Sequence, residues 1–208
     1  MRMSVSLVLV TLAFAGSSVL TADASPAQSG QQPEAERFTL KTPEVIEEVP
    51  CAAGYMWRCV DGRLRRCTLE RDAVVRGAAL PKGSTVAFNP DGSHHFVFLP
   101  RTTTIEGFEC RGHGHDFMTT FHPDGRLKLC WMPEDREIQG IPCARFSIWA
   151  DVFGNSSGVY LHADGALAEC RVSRDTTVGG TLFNRGSRIY LDPSGRPTAN
   201  PHEKTGKN

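Results

Sequence analysis

One turn recurs along this chain, and its recurrence limits the fold more than any other feature. It reads Asn89-Pro-Asp-Gly92, His122-Pro-Asp-Gly125, His162-Ala-Asp-Gly165 and Asp192-Pro-Ser-Gly195, with an earlier form ending at Asp61-Gly62. Counted from Gly62, Gly92, Gly125 and Gly165, the steps are 30, 33 and 40 residues, and a further 30 lead to Gly195. Fifteen residues after each counted Gly stands another, at Gly77, Gly107, Gly140 and Gly180. Two before that the residue is β-branched: Val75, Ile105, Ile138 and Val178. Seven after the turn Gly the side chain is apolar (Leu69, Leu99, Met132, Val172), and four before the next turn stand Phe88, Phe121, Leu161 and Leu191. Register kept at this many positions marks a tandem repeat.

The turn chemistry gives each copy its local form. Pro fixes φ at the second position of a type I turn, and Gly takes the left-handed residue that follows. Val86 and Phe88, Val159 and Leu161, and Ile189 and Leu191 alternate with other residues and so share one face of a strand. A third strand runs through Val75, Ile105, Ile138 and Val178, where the repeated Gly reads as a bulge or close backbone approach. No stretch after residue 24 has helical periodicity. The expectation is an all-β chain, a tandem repeat of about three short antiparallel strands per copy. Four copies, from about 62, 92, 125 and 165, follow a truncated lead-in within a repeat domain at 49–195. They would build an elongated twisted sheet or roll, each copy covering the apolar face of the next. In kind the repeats resemble MORN-type β-hairpin proteins, but those repeats are shorter and carry a Tyr and Gly pattern absent here.

The flanks read differently. Met1-Arg2-Met3, the apolar run Val5–Ala15 and the small-residue site Ala22-Asp23-Ala24 form a signal peptide over residues 1–24. That run is too short for a membrane span, and no later stretch is long enough. Residues 25–48, with Pro26, Pro33 and Pro43, read as a flexible leader with one short strand expected near Val45–Val49; residues 196–208 read as a disordered tail. The expected location is secreted, periplasmic or cell-surface. With 23 Lys and Arg against 23 Asp and Glu, the chain gives no electrostatic reason to expect nucleic acid or an anionic membrane.

Seven cysteines in an exported chain point to disulfides with one thiol over. Cys67, Cys130 and Cys170 lie five residues after a turn Gly; Cys110 and Cys143 lie eighteen after theirs. Joining position eighteen of one copy to position five of the next gives Cys110–Cys130 and Cys143–Cys170. Val49-Pro50-Cys51 resembles Ile141-Pro142-Cys143, so Cys51–Cys67 completes the series. The first copy and the start of the second have the apolar pair Leu80 and Val97 at these positions, and Cys59 is left as a free thiol.

Candidate chemistry is sparse. His113-Gly-His115-Asp116 could ligate a metal from one strand face, or be a solvated Gly-rich loop. It departs from the His-x-His-x-Asp-His motif of metallo-β-lactamase-like hydrolases, since Asp116 follows His115 directly and the last His is missing. Three residues before each turn Gly stand Cys59, Asn89, His122, His162 and Asp192, a column of ligand-type side chains or of ordinary turn-entry residues. No nucleophile elbow or phosphate-cradling loop is present, and no cofactor is expected. The segment Phe146-Ser-Ile-Trp-Ala-Asp-Val-Phe153 places Phe146, Ile148, Trp149, Val152 and Phe153 in a long connection, as a contact loop or as a cap folded onto the sheet. Asn155-Ser156-Ser157 has the form of a glycosylation sequon. The expected function is a non-catalytic binding or structural module, meeting a protein or cell-envelope component through residues 144–157. The competing reading is a metal-dependent enzyme using His113, His115, His122 and His162.

Overall fold

A computed structural model describes residues 35–113, 117–149 and 158–201. The expected signal peptide, the sequon, and His115, Val152 and Phe153 lie outside those residues. Ten strands form one antiparallel sheet: β1 (Ala35–Leu40), β4 (Gly54–Cys59), β5 (Leu64–Thr68), β8 (Thr85–Phe88), β9 (His94–Phe98), β12 (Met118–Phe121), β13 (Leu127–Cys130), β16 (Val159–Leu161), β17 (Leu167–Arg171) and β20 (Arg188–Tyr190). They lie in the sheet in chain order. Between alternate pairs of them the chain makes a separate two-stranded hairpin: β2–β3 (Glu44–Ile46, Val49–Cys51), β6–β7 (Ala73–Val75, Ala78–Leu80), β10–β11 (Thr103–Ile105, Phe108–Cys110), β14–β15 (Arg136–Ile138, Ile141–Cys143) and β18–β19 (Thr176–Val178, Thr181–Phe183).

The repeating unit is therefore sheet strand, hairpin, sheet strand, and five such units follow one another. The all-β tandem repeat stands, with four strands per unit where the sequence suggested about three. The Gly fifteen residues after the turn is the tip of the small hairpin and not a bulge. Both central residues there have positive φ, as at Arg76 (48°) and Gly77 (87°) or Gln139 (51°) and Gly140 (81°). That is the geometry of a type I′ hairpin, whose twist matches antiparallel strands.

The expected flexible leader is corrected over residues 35–48. Ala35–Leu40 pairs with β4 along its whole length, from Ala35 opposite Cys59 to Leu40 opposite Gly54. The lead-in is thus a complete first unit, hidden in the sequence because no turn Gly precedes it. At the other end, Leu191 bridges Pro197 and the Thr198 N–H donates to the Tyr190 carbonyl at 2.8 Å, so part of the expected tail is held to the last strand.

Strand alternation decides which side chains are buried. Met56, Leu64, Cys67, Val86, Phe88, Val97, Leu127, Cys130, Val159, Leu167, Cys170 and Ile189 face the hairpins, and each is under a tenth exposed. Ile46, Val75, Ile105 and Ile138 come down from the hairpins to meet them in one continuous core. Neither layer could bury its apolar face alone, so the sheet and its hairpins stabilise each other.

Three disulfides tie the layers together: Cys51–Cys67, Cys110–Cys130 and Cys143–Cys170, with Cα separations of 5.8, 5.2 and 5.7 Å. Each runs from a hairpin of one unit to the first sheet strand of the next. The connection is between layers, at the pairings the repeat spacing predicts. Between the second and third units Leu80 and Val97 are both buried in the corresponding places, and Cys59 is a buried free thiol.

Candidate binding surface

The column of ligand-type residues resolves into turn and inter-unit hydrogen bonds. His122 Nε2 bonds the Leu161 carbonyl at 3.0 Å, and His162 Nε2 bonds the Leu191 carbonyl at 2.9 Å. Each histidine thus reaches the backbone of the following unit at the residue before its own counterpart. Asn89 turns back on its own loop, donating to the Ser93 hydroxyl and the His94 carbonyl. Asp192 accepts from the Ser194 and Arg196 N–H groups. His113 lies in the connection after β11 with φ of 114°, its N–H on the Leu99 carbonyl. Among the described residues no three His, Cys, Asp or Glu side chains are grouped to hold a metal.

The long connection divides at residue 146. Ala144 N–H donates to the Arg171 carbonyl at 2.7 Å, and Phe146 N–H to the Met132 carbonyl at 2.9 Å. The Phe146 ring stands edge-on to Phe117 and Trp131, with centroids 4.9 and 5.5 Å away, and the Arg111 guanidinium lies 5.4 Å from it. Trp131 is held in turn by its indole N–H on the Met118 carbonyl at 2.7 Å. Phe146 is therefore a cap, packed on the sheet side opposite the hairpins. Ile148 and Trp149, two and three residues further on, are 65 % and 72 % exposed.

That outward side of the sheet carries a row of directly opposed residues. Its first half runs Arg37, Trp57, Arg66, Ala87, Phe96 across β1, β4, β5, β8 and β9. Thr120 follows the Val97–Thr119 pair in register, and the row continues through Leu129, Tyr160, Glu169 and Tyr190. Arg66 lies over the Trp57 ring at 4.9 Å and within 5.8 Å of the Phe96 ring. Arg37 lies 4.7 Å above Tyr55. Arg65 reaches His95 Nδ1 at 3.2 Å, two strands away, and Ala87, opposed to Arg66 and Phe96, is 2 % exposed.

Charge on this face is one-sided. By strand register the outward positions hold Arg37, Arg66, Arg171 and Arg188, with Glu169 as the carboxylate among them. The balanced total charge conceals this, because most acidic residues sit in turns and on the hairpin side. Arg171 and Arg188 are directly opposed, a like-charge pairing that costs stability in a sheet. Glu169 Oε1 accepts from Arg188 at 2.6 Å and relieves part of the repulsion. Burial, and then the neighbouring Arg188 charge, lower the Arg171 pKa from its ordinary value. The Nε atoms of Arg66 and Arg171 are buried with no hydrogen-bond partner among the described residues. Burial first, then Glu169, raises the Tyr160 pKa.

The row was not legible as a site in the sequence. Its members are spread over ten strands, one residue in each, and only the strand register aligns them. No helix among the described residues is long and apolar enough to cross a membrane. No family model matches the chain, and neither a curated protein nor a solved structure proved similar to it.

Proposed function

We propose that this chain is an exported, non-catalytic binding module whose contact surface is the outward face of the ten-stranded sheet, with Ile148 and Trp149 beside it. The carrying observation is the division of labour between the two faces. The hairpin side sends Ile46, Val75, Ile105 and Ile138 into the internal core, and its exposed apolar residues Val45, Val74 and Leu182 are aliphatic. The outward side presents Trp57, Phe96, Tyr160 and Tyr190 at intermediate exposure, together with arginines, and segment 144–149 covers only the part near Trp131. Aromatic and arginine side chains on a rigid scaffold are the residues most enriched where binding energy concentrates. Export rests on the leading apolar run and small-residue site, and three disulfides suit an oxidising compartment outside the cytosol, secreted, periplasmic or cell-surface.

Retention of the labelled protein on an envelope preparation from its producing cells tests this reading. The double variant Ile148→Ser/Trp149→Ser is expected to lose retention while keeping its thermal transition. Val74→Ser and Leu182→Ser, at exposed positions on the hairpin side, are expected to retain it. The opposite pattern sinks the proposal.

A further inference from the structure

We propose that the open edge of the sheet, strand β1, pairs with β1 of a second copy of this chain in a two-fold dimer centred on Phe38. Backbone direction shows which groups are on offer there. The Cys59 N–H donates to the Arg63 carbonyl, so Cys59 and, two residues back, Trp57 turn their backbone groups toward β5. Met56 and Arg58 turn theirs toward β1, where they face Phe38 and Glu36. Ala35, Arg37 and Thr39 therefore direct their N–H and C=O groups away from the sheet. Among the described residues no strand pairs with β1 on that side. Phe38 shares a face with the buried Met56, yet it is 44 % exposed, since it stands at the open end of the core.

The opposite edge is closed. The Thr198 N–H donates to the Tyr190 carbonyl at 2.8 Å, and Leu191 bridges Pro197, which has no N–H to offer a further strand. The two edges are thus treated differently, and pairing through β1 alone joins two copies and then stops.

Register selects a second copy as the occupant. Antiparallel pairing brings outward-pointing residues opposite one another. A two-fold axis at Arg37 would oppose Arg37 to itself, and one at Glu36 would oppose Glu36 to itself, both like-charge pairings that cost stability. An axis at Phe38 sets Arg37 against Thr39 and Glu36 against Leu40. It also brings Phe38 against Phe38 in the close, non-hydrogen-bonded place, where aromatic pairs contribute most. Each Arg37 and Thr39 then exchange both ladder hydrogen bonds. A single six-residue strand buries less than the roughly 1,200 Å² of a stable interface, so the dimer is reversible.

Sedimentation velocity of the chain purified from its producing cells, over a concentration series, tests the proposal. A monomer–dimer equilibrium is expected, with the dimer lost on dilution. Thr39→Pro removes an outward N–H from each copy without touching a bond to β4. It is expected to weaken the dimer by about tenfold or more and to leave the thermal transition in place. Phe38→Cys is expected to form a covalent dimer on oxidation, because facing Cα atoms in the close pairs stand about 4.5 Å apart, within reach of a disulfide. Glu36→Cys and Arg37→Cys are expected not to cross-link under the same conditions. The cross-link keeps the edge contact testable should Thr39→Pro fail to fold. A chain that stays monomeric up to about 1 mM, growth beyond two copies, an undiminished dimer in folded Thr39→Pro, or cross-linking at position 36 or 37 in place of 38 overturns the proposal.

Discussion

The carboxylate of Glu106 accepts a hydrogen bond from the backbone N–H of Leu127, 3.0 Å away in the next unit. Glu106 is the first tip residue of its hairpin, and Leu127 is the first residue of the following sheet strand. The relation recurs with Glu47 and Leu64 at 2.9 Å, and with Gln139 and Leu167 at 2.9 Å. It is absent where both partners change together. Arg76 has no acceptor to offer, and opposite it His94 turns its ring to bond the Val75 carbonyl at 2.8 Å. Gly179 has no side chain, and opposite it Pro197 has no N–H to satisfy. In three of the five units the hairpin tip is thus bonded to the first backbone amide of the following sheet strand, and in the other two the residues at both positions differ.

Replacing Glu106 by Ala is expected to destabilise the fold by about 1–2 kcal/mol, since it strands a partly buried N–H group. Glu106→Gln retains an acceptor and is expected to cost about 0.5 kcal/mol or less. Both variants keep a side chain at the same positive φ of 48°, so backbone strain cancels between them. Urea unfolding midpoints measure the difference, and equal costs would assign the stability to something other than the acceptor.

Stability is expected to fall on mild acidification. Burial, chiefly, with the Arg76 charge adding and the bond to the Val75 carbonyl opposing, lowers the His94 pKa below its ordinary 6.5. The unfolded chain then binds a proton at pH values where the folded chain does not, so stability rises with pH in that interval. The His94 contribution is complete above about 6.5 and is lost as pH falls through the lower folded value. His95 acts in the same direction, through burial and then the Arg65 charge. His94→Leu, which installs the residue found at Leu64, Leu127 and Leu167, is expected to flatten the pH dependence of Tm between about pH 7 and 5. An unchanged slope would remove His94 from the account. Asp61, Asp91 and Asp192 have lowered pKa values from local hydrogen bonds, so their losses come only in the more acidic carboxylate range.

The disulfides can be compared with the protein's own apolar substitute. Replacing Cys110 and Cys130 by Ser is expected to cost about 3 kcal/mol or more, from the loop-closure entropy of a link with a sequence separation of 20. The pair Cys110→Leu with Cys130→Val copies Leu80 of the second unit and Val97 of the third. It is expected to recover at least about 1 kcal/mol of that loss through apolar burial. Thermal unfolding of the two double variants decides the matter; identical transitions would mean that the Leu80 and Val97 pair is no model for this site.

The sequence by itself determined the period, the turns, the all-β class and the positions of the cysteines within each copy. All of these are local or periodic: Asp-Gly turns take left-handed glycine, and buried positions must recur wherever the same unit recurs. It did not reveal that Ala35–Leu40 belongs to the array, because that strand lacks the turn that marks the others and reads as a charged, Pro-flanked leader. The division of Phe146 from Trp149 needed the fold as well, since both are aromatic and only packing against Phe117 and Trp131 makes one of them a cap. Above all, the outward row from Arg37 to Tyr190 has no signature along the chain. Its members take one place in each of ten strands, and what brings them into line is backbone hydrogen bonding between strands, which sets neighbours by register and not by sequence distance.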